Sequence, residues 1–105
     1  MQKMLIQLDV EKIERERKYN LQDVWRLIDE IFAKGKCTKE IQSDGAVMYS
    51  GNPNRNNNLA DFGLAYLLLQ KRDWFVDNAK TWIWYNNDDD ESLPFQDTDC
   101  LKRIR

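Results

Sequence analysis

Met4, Ile6, Leu8 and Val10 alternate with Leu5, Gln7, Asp9 and Glu11 near the start of the chain. A period of two leaves little choice: such a segment folds as a strand with one sheet face buried. The stretch from Glu11 to Lys18 is so dense in charge that it reads as a solvated connector or a strand end. A helix then follows, because Leu21, Val24, Ile28, Ile31 and Phe32 recur at helical spacing. Asn20 can cap it, Asp23 suits the positive end of its dipole, and Lys34-Gly35-Lys36 supplies a stop. Trp25 flanks the apolar stripe and reads as core.

Two short segments come next, Cys37 to Gln42 and Ala46 to Ser50, separated by Ser43-Asp44-Gly45. The Asp-Gly pair suits the positive-φ positions of a hairpin turn, which makes the two strands antiparallel. Gly51 to Asn58 holds turn-tolerant residues with almost nothing to bury, so it reads as a loop running to an Asn cap. Leu59, Phe62, Gly63, Tyr66 and Leu69 form the stripe of a second helix, widened by Leu67 and Leu68. Asp73 to Ala79 suits a short helical turn, and the β-branched and aromatic Thr81-Trp82-Ile83-Trp84-Tyr85 suits a strand. Asn86 to Glu91 reads as a solvated acidic loop.

The order strand, helix, hairpin, helix, strand predicts an α+β, ferredoxin-like βαββαβ fold, an antiparallel sheet with two helices on one face. Its 105 residues, 42% of them apolar, fit a single domain over 1–105, with a core over about 4–86, an acidic loop over 86–91 and a tail over 92–105. A fold of this kind licenses no function by itself.

Composition removes several function classes. The formal charge is −2, so there is no general basic field to hold a nucleic-acid backbone. With no histidine in the chain, Ser43, Ser50 and Ser92 have no base for a histidine triad, and Cys37 and Cys100 are too few for a zinc site. No Walker-type loop or dinucleotide glycine fingerprint occurs. No apolar run approaches the roughly 20 residues that span a bilayer, and the start lacks a secretion signal, so a cytoplasmic protein with no membrane partner is expected. A disulfide between the two cysteines is disfavoured in that compartment.

The remaining candidates each have a plain structural reading beside the functional one. Asp9 lies on the other sheet face or at the strand edge, where it is either solvated and salt-bridged or functional. Trp82 and Trp84 share one strand face and suit core or dimer-interface burial better than base stacking, since the strand lacks the glycine and basic residues of an RNA-recognition sheet. Asp88-Asp89-Asp90-Glu91 lacks the spacing of a calcium loop. The Asn-rich loop could offer amides to an anion, with Arg55 as a phosphate contact, or serve as a cap.

Several of these residues also carry a resemblance. Leu8-Asp9-Val10 closing the first strand, Asp44-Gly45-Ala46-Val47 in the hairpin, Leu59-Ala60 opening the second helix, and Trp74-Phe75 followed by Asn78-Ala79-Lys80 resemble the virulence-associated protein D family over about Met4 to Asn86. That family is similar to the small dimeric CRISPR-associated nucleases. The resemblance implies a homodimer with endoribonuclease activity on RNA, with Asp9 as the catalytic and metal-binding acid, paired across the two-fold around magnesium or manganese. It also places Lys80 at the family's basic position, a candidate nucleic-acid contact. The chain departs from the family where a small hydroxyl residue is replaced by Ala46 and where an Arg-Asp-x-Arg pattern reads Lys80-Thr81-Trp82-Ile83.

Two functions follow as expectations. One is a toxin-like, metal-dependent endoribonuclease acting through paired Asp9 carboxylates. The other is a non-catalytic interaction module, such as a toxin or antitoxin component or an accessory protein of a mobile element, which binds a protein partner. The first is the leading expectation and the second its alternative, in whose favour the altered family positions and the acidic balance count.

Overall fold

In the computed structural model, which describes residues 1–104, the chain forms five strands and five helices. Arg105, the last residue of the tail read from the sequence, lies outside the described residues. The order is β1 (Gln2–Leu8), α1 (Val10–Glu16), α2 (Leu21–Ala33), β2 (Thr38–Ile41), β3 (Val47–Ser50), α3 (Asn58–Gln70), α4 (Asp73–Val76), β4 (Ala79–Asn86), β5 (Gln96–Asp99) and α5 (Cys100–Ile104). The strands make one antiparallel sheet in the order β2-β3-β1-β4-β5.

β1 shows why the alternation was decisive. Its even positions are buried and its odd positions half-buried, and register carries that parity sideways. Met4 lies between Tyr49 and Trp84, and Ile6 between Val47 and Trp82. Directly paired residues share a face, so these six side chains line one side of the sheet. Val24, Ile28 and Phe32 of α2, Phe62, Ala65 and Leu69 of α3, and Phe75 of α4 join them in a single cluster. Phe32 stacks on Tyr49 at 4.1 Å and meets Phe62 edge-on at 5.6 Å. Full burial of side chains of this size contributes about 1.5–3 kcal/mol each. Gln2, fully buried on the same face, is satisfied: it accepts from Trp84 Nε1 at 2.7 Å and donates to Asn86 Oδ1 at 2.8 Å.

Beyond the six elements of a βαββαβ unit and the short helical turn expected before its last strand, the molecule has three more, and each addition has a physical reason. The charged stretch after β1 is a helix, α1, and Val10 begins it instead of ending the strand. One apolar contact suffices to dock it: Ile13 is 2% exposed while the charges face outward. The tail is also structured. β5 is polar, so no alternation announced it; backbone pairing with β4 holds it, from Ile83↔Asp99 to Asn86↔Gln96. α5 then returns Cys100 and Leu101 to the core.

Local punctuation follows the expected chemistry in part. Asn20 caps α2 by accepting from Asp23 N at 3.1 Å, and Gly45 takes the positive φ of the hairpin at 85°. At the end of α2 it is Lys36, not Gly35, that adopts positive φ. Gly35 is needed for a close approach instead: a Cβ there would sit 3.0 Å from Asp61 Oδ2. The acidic loop is not simply solvated. Asn87 is 3% exposed, and Asp89 Oδ2 accepts from Leu59 N at the start of α3 at 3.1 Å.

α3 departs most from its expected form. Its buried residues are Asn58, Phe62, Ala65 and Leu69. Leu59 is 42% exposed and Leu67 50% exposed, so neither belongs to a core-facing stripe. Apolar residues run right round this helix, and only one side of it has a core to face.

Candidate functional site

Two regions answer to functional candidates: the end of β1 around Asp9, and the outward side of α3.

Asp9 follows the last residue of β1 and is the N-cap of α1. Its Oδ1 accepts from Lys12 N at 3.1 Å, and its own amide donates to Asn78 O at 2.8 Å. The carboxylate thus satisfies one of the orphan amides that every helix start exposes. Lys80 arrives beside it through a register shift. Gln7 pairs with Thr81 while Leu8 pairs with Ala79, which leaves Lys80 as the extra residue of a β-bulge, turned out and exposed. Asp9, Lys80, Gln7, Glu11, Trp25 and Asp44 line one cavity of about 280 Å³. Three carboxylates around one ammonium form a poor seat for a phosphate, because the acids repel the anion that Lys80 would attract.

The divalent ion that the family resemblance implies would need oxygen ligands from these same residues. One chain does not fit it. Asp9 brings a single strand-end carboxylate, half of it already used as a cap, and among the described residues no group of three His, Cys, Asp or Glu side chains is placed to hold a metal ion. Magnesium and manganese sites need several oxygens in convergent geometry.

Arg55 is not part of this region. Gly51 N bonds Gln2 O at 2.8 Å, which puts the Asn-rich loop at the beginning of β1, about 20 Å of strand away from Asp9. Its guanidinium is engaged: Nε donates to Asp61 Oδ2 at 2.9 Å and Nη2 to Asp61 Oδ1 at 3.2 Å. That pairing, by hydrogen bond and then by charge, holds the Arg55 pKa above its ordinary value. The loop is stitched as well: Asn58 donates to Asn52 O at 2.8 Å and accepts from Asn52 N at 3.2 Å, with Gly51 so close that a Cβ would lie 2.8 Å from Asn58 Cγ. A phosphate contact at Arg55 would first have to displace Asp61.

Trp82 and Trp84 share a face, and that face is the inner one. Trp82 is fully enclosed within this chain, stacked with Tyr66 at 5.2 Å and edge-on to Phe75 at 4.9 Å, so it is corrected from an interface residue to a core residue. Trp84 is half-buried on the same side, its indole N–H spent on Gln2. Both thiols are held in the protonated form at neutral pH. Burial, with the Asp61 charge as a second cause, pushes Cys37 from 9.0 to about 11. Burial is likewise the main cause at Cys100, which rises from 9.0 to about 11. Both are free cysteines.

The second region was not singled out from the sequence. Ala60, Gly63, Leu64 and Leu67 point away from the core, with Leu64 and Leu67 each 50% exposed. A Cβ added at Gly63 would meet nothing within 4 Å, so that side of the helix is open. Lys71 and Arg72 follow at its C-terminal end, both exposed and neither paired with a carboxylate among the described residues. The signal was present in the sequence as an apolar run, Leu64 to Leu69 broken only by Tyr66, too long for one face of a helix.

Among the described residues no helix is long and apolar enough to cross a membrane. No family model, no curated protein and no solved structure matches this chain.

Proposed function

We propose that this domain is a non-catalytic protein-interaction module on a ferredoxin-like frame. The frame is supported by strand order: β2-β3-β1-β4 with antiparallel neighbours is the sheet of a βαββαβ unit, to which β5 adds an edge and α1 an insertion after β1. The single observation that carries the function is the outward side of α3. A surface helix normally keeps one polar face, and one that is apolar all round has a second surface to cover it. The Asp9 end offers the opposite condition, an acid committed to capping beside two more carboxylates. Free thiols agree with a cytoplasmic location, where an accessory protein or a toxin or antitoxin component would work.

The test is an RNA-cleavage assay on the purified protein with magnesium or manganese. The module leaves varied RNA intact, and Asp9→Ala lowers stability without changing that result. Cleavage by the parent that Asp9→Ala abolishes would overturn the reading.

One observation favours a second reading, the metal-dependent endoribonuclease: Asp9 and Lys80 line the same cavity. That reading requires the Asp9 of a second copy, since one chain supplies a single strand-end acid. The same assay decides between the two.

A further inference from the structure

β2 is an edge strand, and the backbone groups it leaves open can be named. Gln42 N donates to Ala46 O at 2.7 Å between β2 and β3, and Gly51 N donates to Gln2 O at 2.8 Å between β3 and β1. Bonded and non-bonded pairs alternate along an antiparallel ladder, so Thr38 and Glu40 exchange bonds with their partners Ser50 and Met48. The N–H and C=O groups of Lys39 and Ile41 therefore point outward, away from β3. Beside them, between α2 and the sheet margin, lies a groove of about 570 Å³. Ile41, 69% exposed, and Val47 form its floor, and Trp25 and Ala33 its α2 wall. We infer that β2 is a docking edge for an extended segment of another protein, apolar at alternate positions and acidic at its C-terminal end, added antiparallel as a sixth strand. This surface is apart from the outward side of α3, and the inference does not rest on it.

Geometry is the first argument. Directly paired residues share a sheet face. An incoming residue that exchanges bonds with Ile41 thus sends its side chain over the groove, and so does the residue two places on, opposite Lys39. Main-chain bonds then hold the segment while the groove selects its alternate side chains. A lysine on an edge strand normally guards it. Here Lys39 Nζ is drawn back onto α2, 2.9 Å from Asp29 Oδ2, which clears the edge. The other edge, β5, is Gln96-Asp97-Thr98-Asp99 and brings no apolar side chain to share.

Charge is the second argument and states the occupant's chemistry. Along the groove every carboxylate is taken. Asp29 holds Lys39 and accepts from the Tyr49 hydroxyl at 2.6 Å, and Asp23 and Glu30 hold Arg26 at 3.4 and 3.7 Å. Glu40 lies on the opposite sheet face. At the start of β2, Lys34 and Lys36 are exposed and in no ion pair among the described residues, and Asp61, beside Gly35, is spent on Arg55. At the hairpin end the balance is reversed: Asp44, Glu11 and Asp9 share one cavity with the single ammonium of Lys80, and Trp25 lines both that cavity and the groove. An antiparallel strand runs from the hairpin end toward Lys34 and Lys36. Its matching sequence is a cation first, apolar residues opposite Ile41 and Lys39, and acids last.

The experiment titrates the capped peptide Lys-Leu-Thr-Val-Thr-Glu-Glu into the isotope-labelled full chain and follows amide chemical shifts and hydrogen exchange. Shifts are expected at Lys39, Ile41 and the Trp25 indole, with exchange slowed at the Lys39 and Ile41 amides. Methylating the peptide's Leu or Val nitrogen, each of which faces β2, should abolish binding. Methylating the Thr nitrogen between them, which faces solvent, should leave it. Ile41→Glu should weaken binding about tenfold. Lys34→Glu with Lys36→Glu should also weaken it about tenfold and turn the preference to Glu-Leu-Thr-Val-Thr-Lys-Lys. Circular dichroism checks the variants, and the methylated peptides decide the matter on the parent if a variant misfolds. Still amides at Lys39 and Ile41 under millimolar peptide overturn the inference, as does binding that survives methylation of both Leu and Val, or equal affinity of the parent for the two peptides. Protection of those amides that grows with protein concentration and no peptide would give the edge to a second copy, and overturns it too. These failures are separate from that of the interaction-module reading, which falls on RNA cleavage.

Discussion

At the end of β1, polar groups meet partners inside the chain: Asp9 caps α1, its amide bonds Asn78 O, and Lys12 Nζ donates to Asp77 O. On the outward side of α3 the reverse holds, since Leu64 and Leu67 each leave half their surface in water with nothing among the described residues to cover them. The two regions differ in what remains to be satisfied. A carboxylate beside a helix start has a local use that needs no substrate. Two leucines pointing away from a core have no such local use, and exposing them costs free energy that a second surface would recover. A residue that looks chemically active can thus be structurally occupied, while a residue with no chemistry can be the one left unsatisfied.

The contrast is open to measurement, beginning where the effect is largest. Phe62, fully buried on the inward side of α3, is expected to cost about 3–5 kcal/mol as Phe62→Ala. Leu67→Ala, extrapolated to infinite dilution, should stay within about 0.5 kcal/mol. Equal costs in urea unfolding would mean that α3 is not two-faced. Asp9→Ala removes a cap and is expected to cost about 0.5–2 kcal/mol with the solution mass unchanged; a change of mass would tie the strand end to the contact surface. Alkali probes the core that both regions share. The folded thiols ionise near 11 against 9.0 when exposed, so the unfolded state loses its protons first. Stability is therefore fully present below about pH 9 and falls as pH rises toward 11, by about 1 kcal/mol per thiol once solvent screening is discounted. Tyr49, raised by burial and by its 2.6 Å bond to Asp29, shifts stability in the same direction. Stability that is flat from pH 9 to 11 would show that the thiols are not shielded. Lys80→Ala should be the mildest change, within about 0.5 kcal/mol, because the bulge already turns the ammonium to solvent.

Legibility followed the strength of local signals. β1, α2, the hairpin and α4 could be read because alternation, an Asn cap and an Asp-Gly turn are short-range causes that act whatever the rest of the chain does. α1 was missed because a single isoleucine docks it beneath a coat of charge. β5 was missed because a polar edge strand is held by the backbone ladder, which is blind to side-chain pattern. In the candidate site, Asp9 and Lys80 were singled out separately, and that they line one cavity was not readable, nor was the setting of either: capping depends on α1, and exposure of Lys80 depends on the bulge.

The sequence by itself determined that this chain has a one-faced sheet and amphipathic cover, since burying Met4, Ile6 and Leu8 together forces both. Tertiary structure alone decided which side of α3 is inside. Apolar residues stand at every angle of that helix, so its own pattern cannot orient it; contact with Phe32, Trp82 and the rest of the sheet's inner face fixes Phe62 and Leu69 inward and leaves Leu64 and Leu67 facing out.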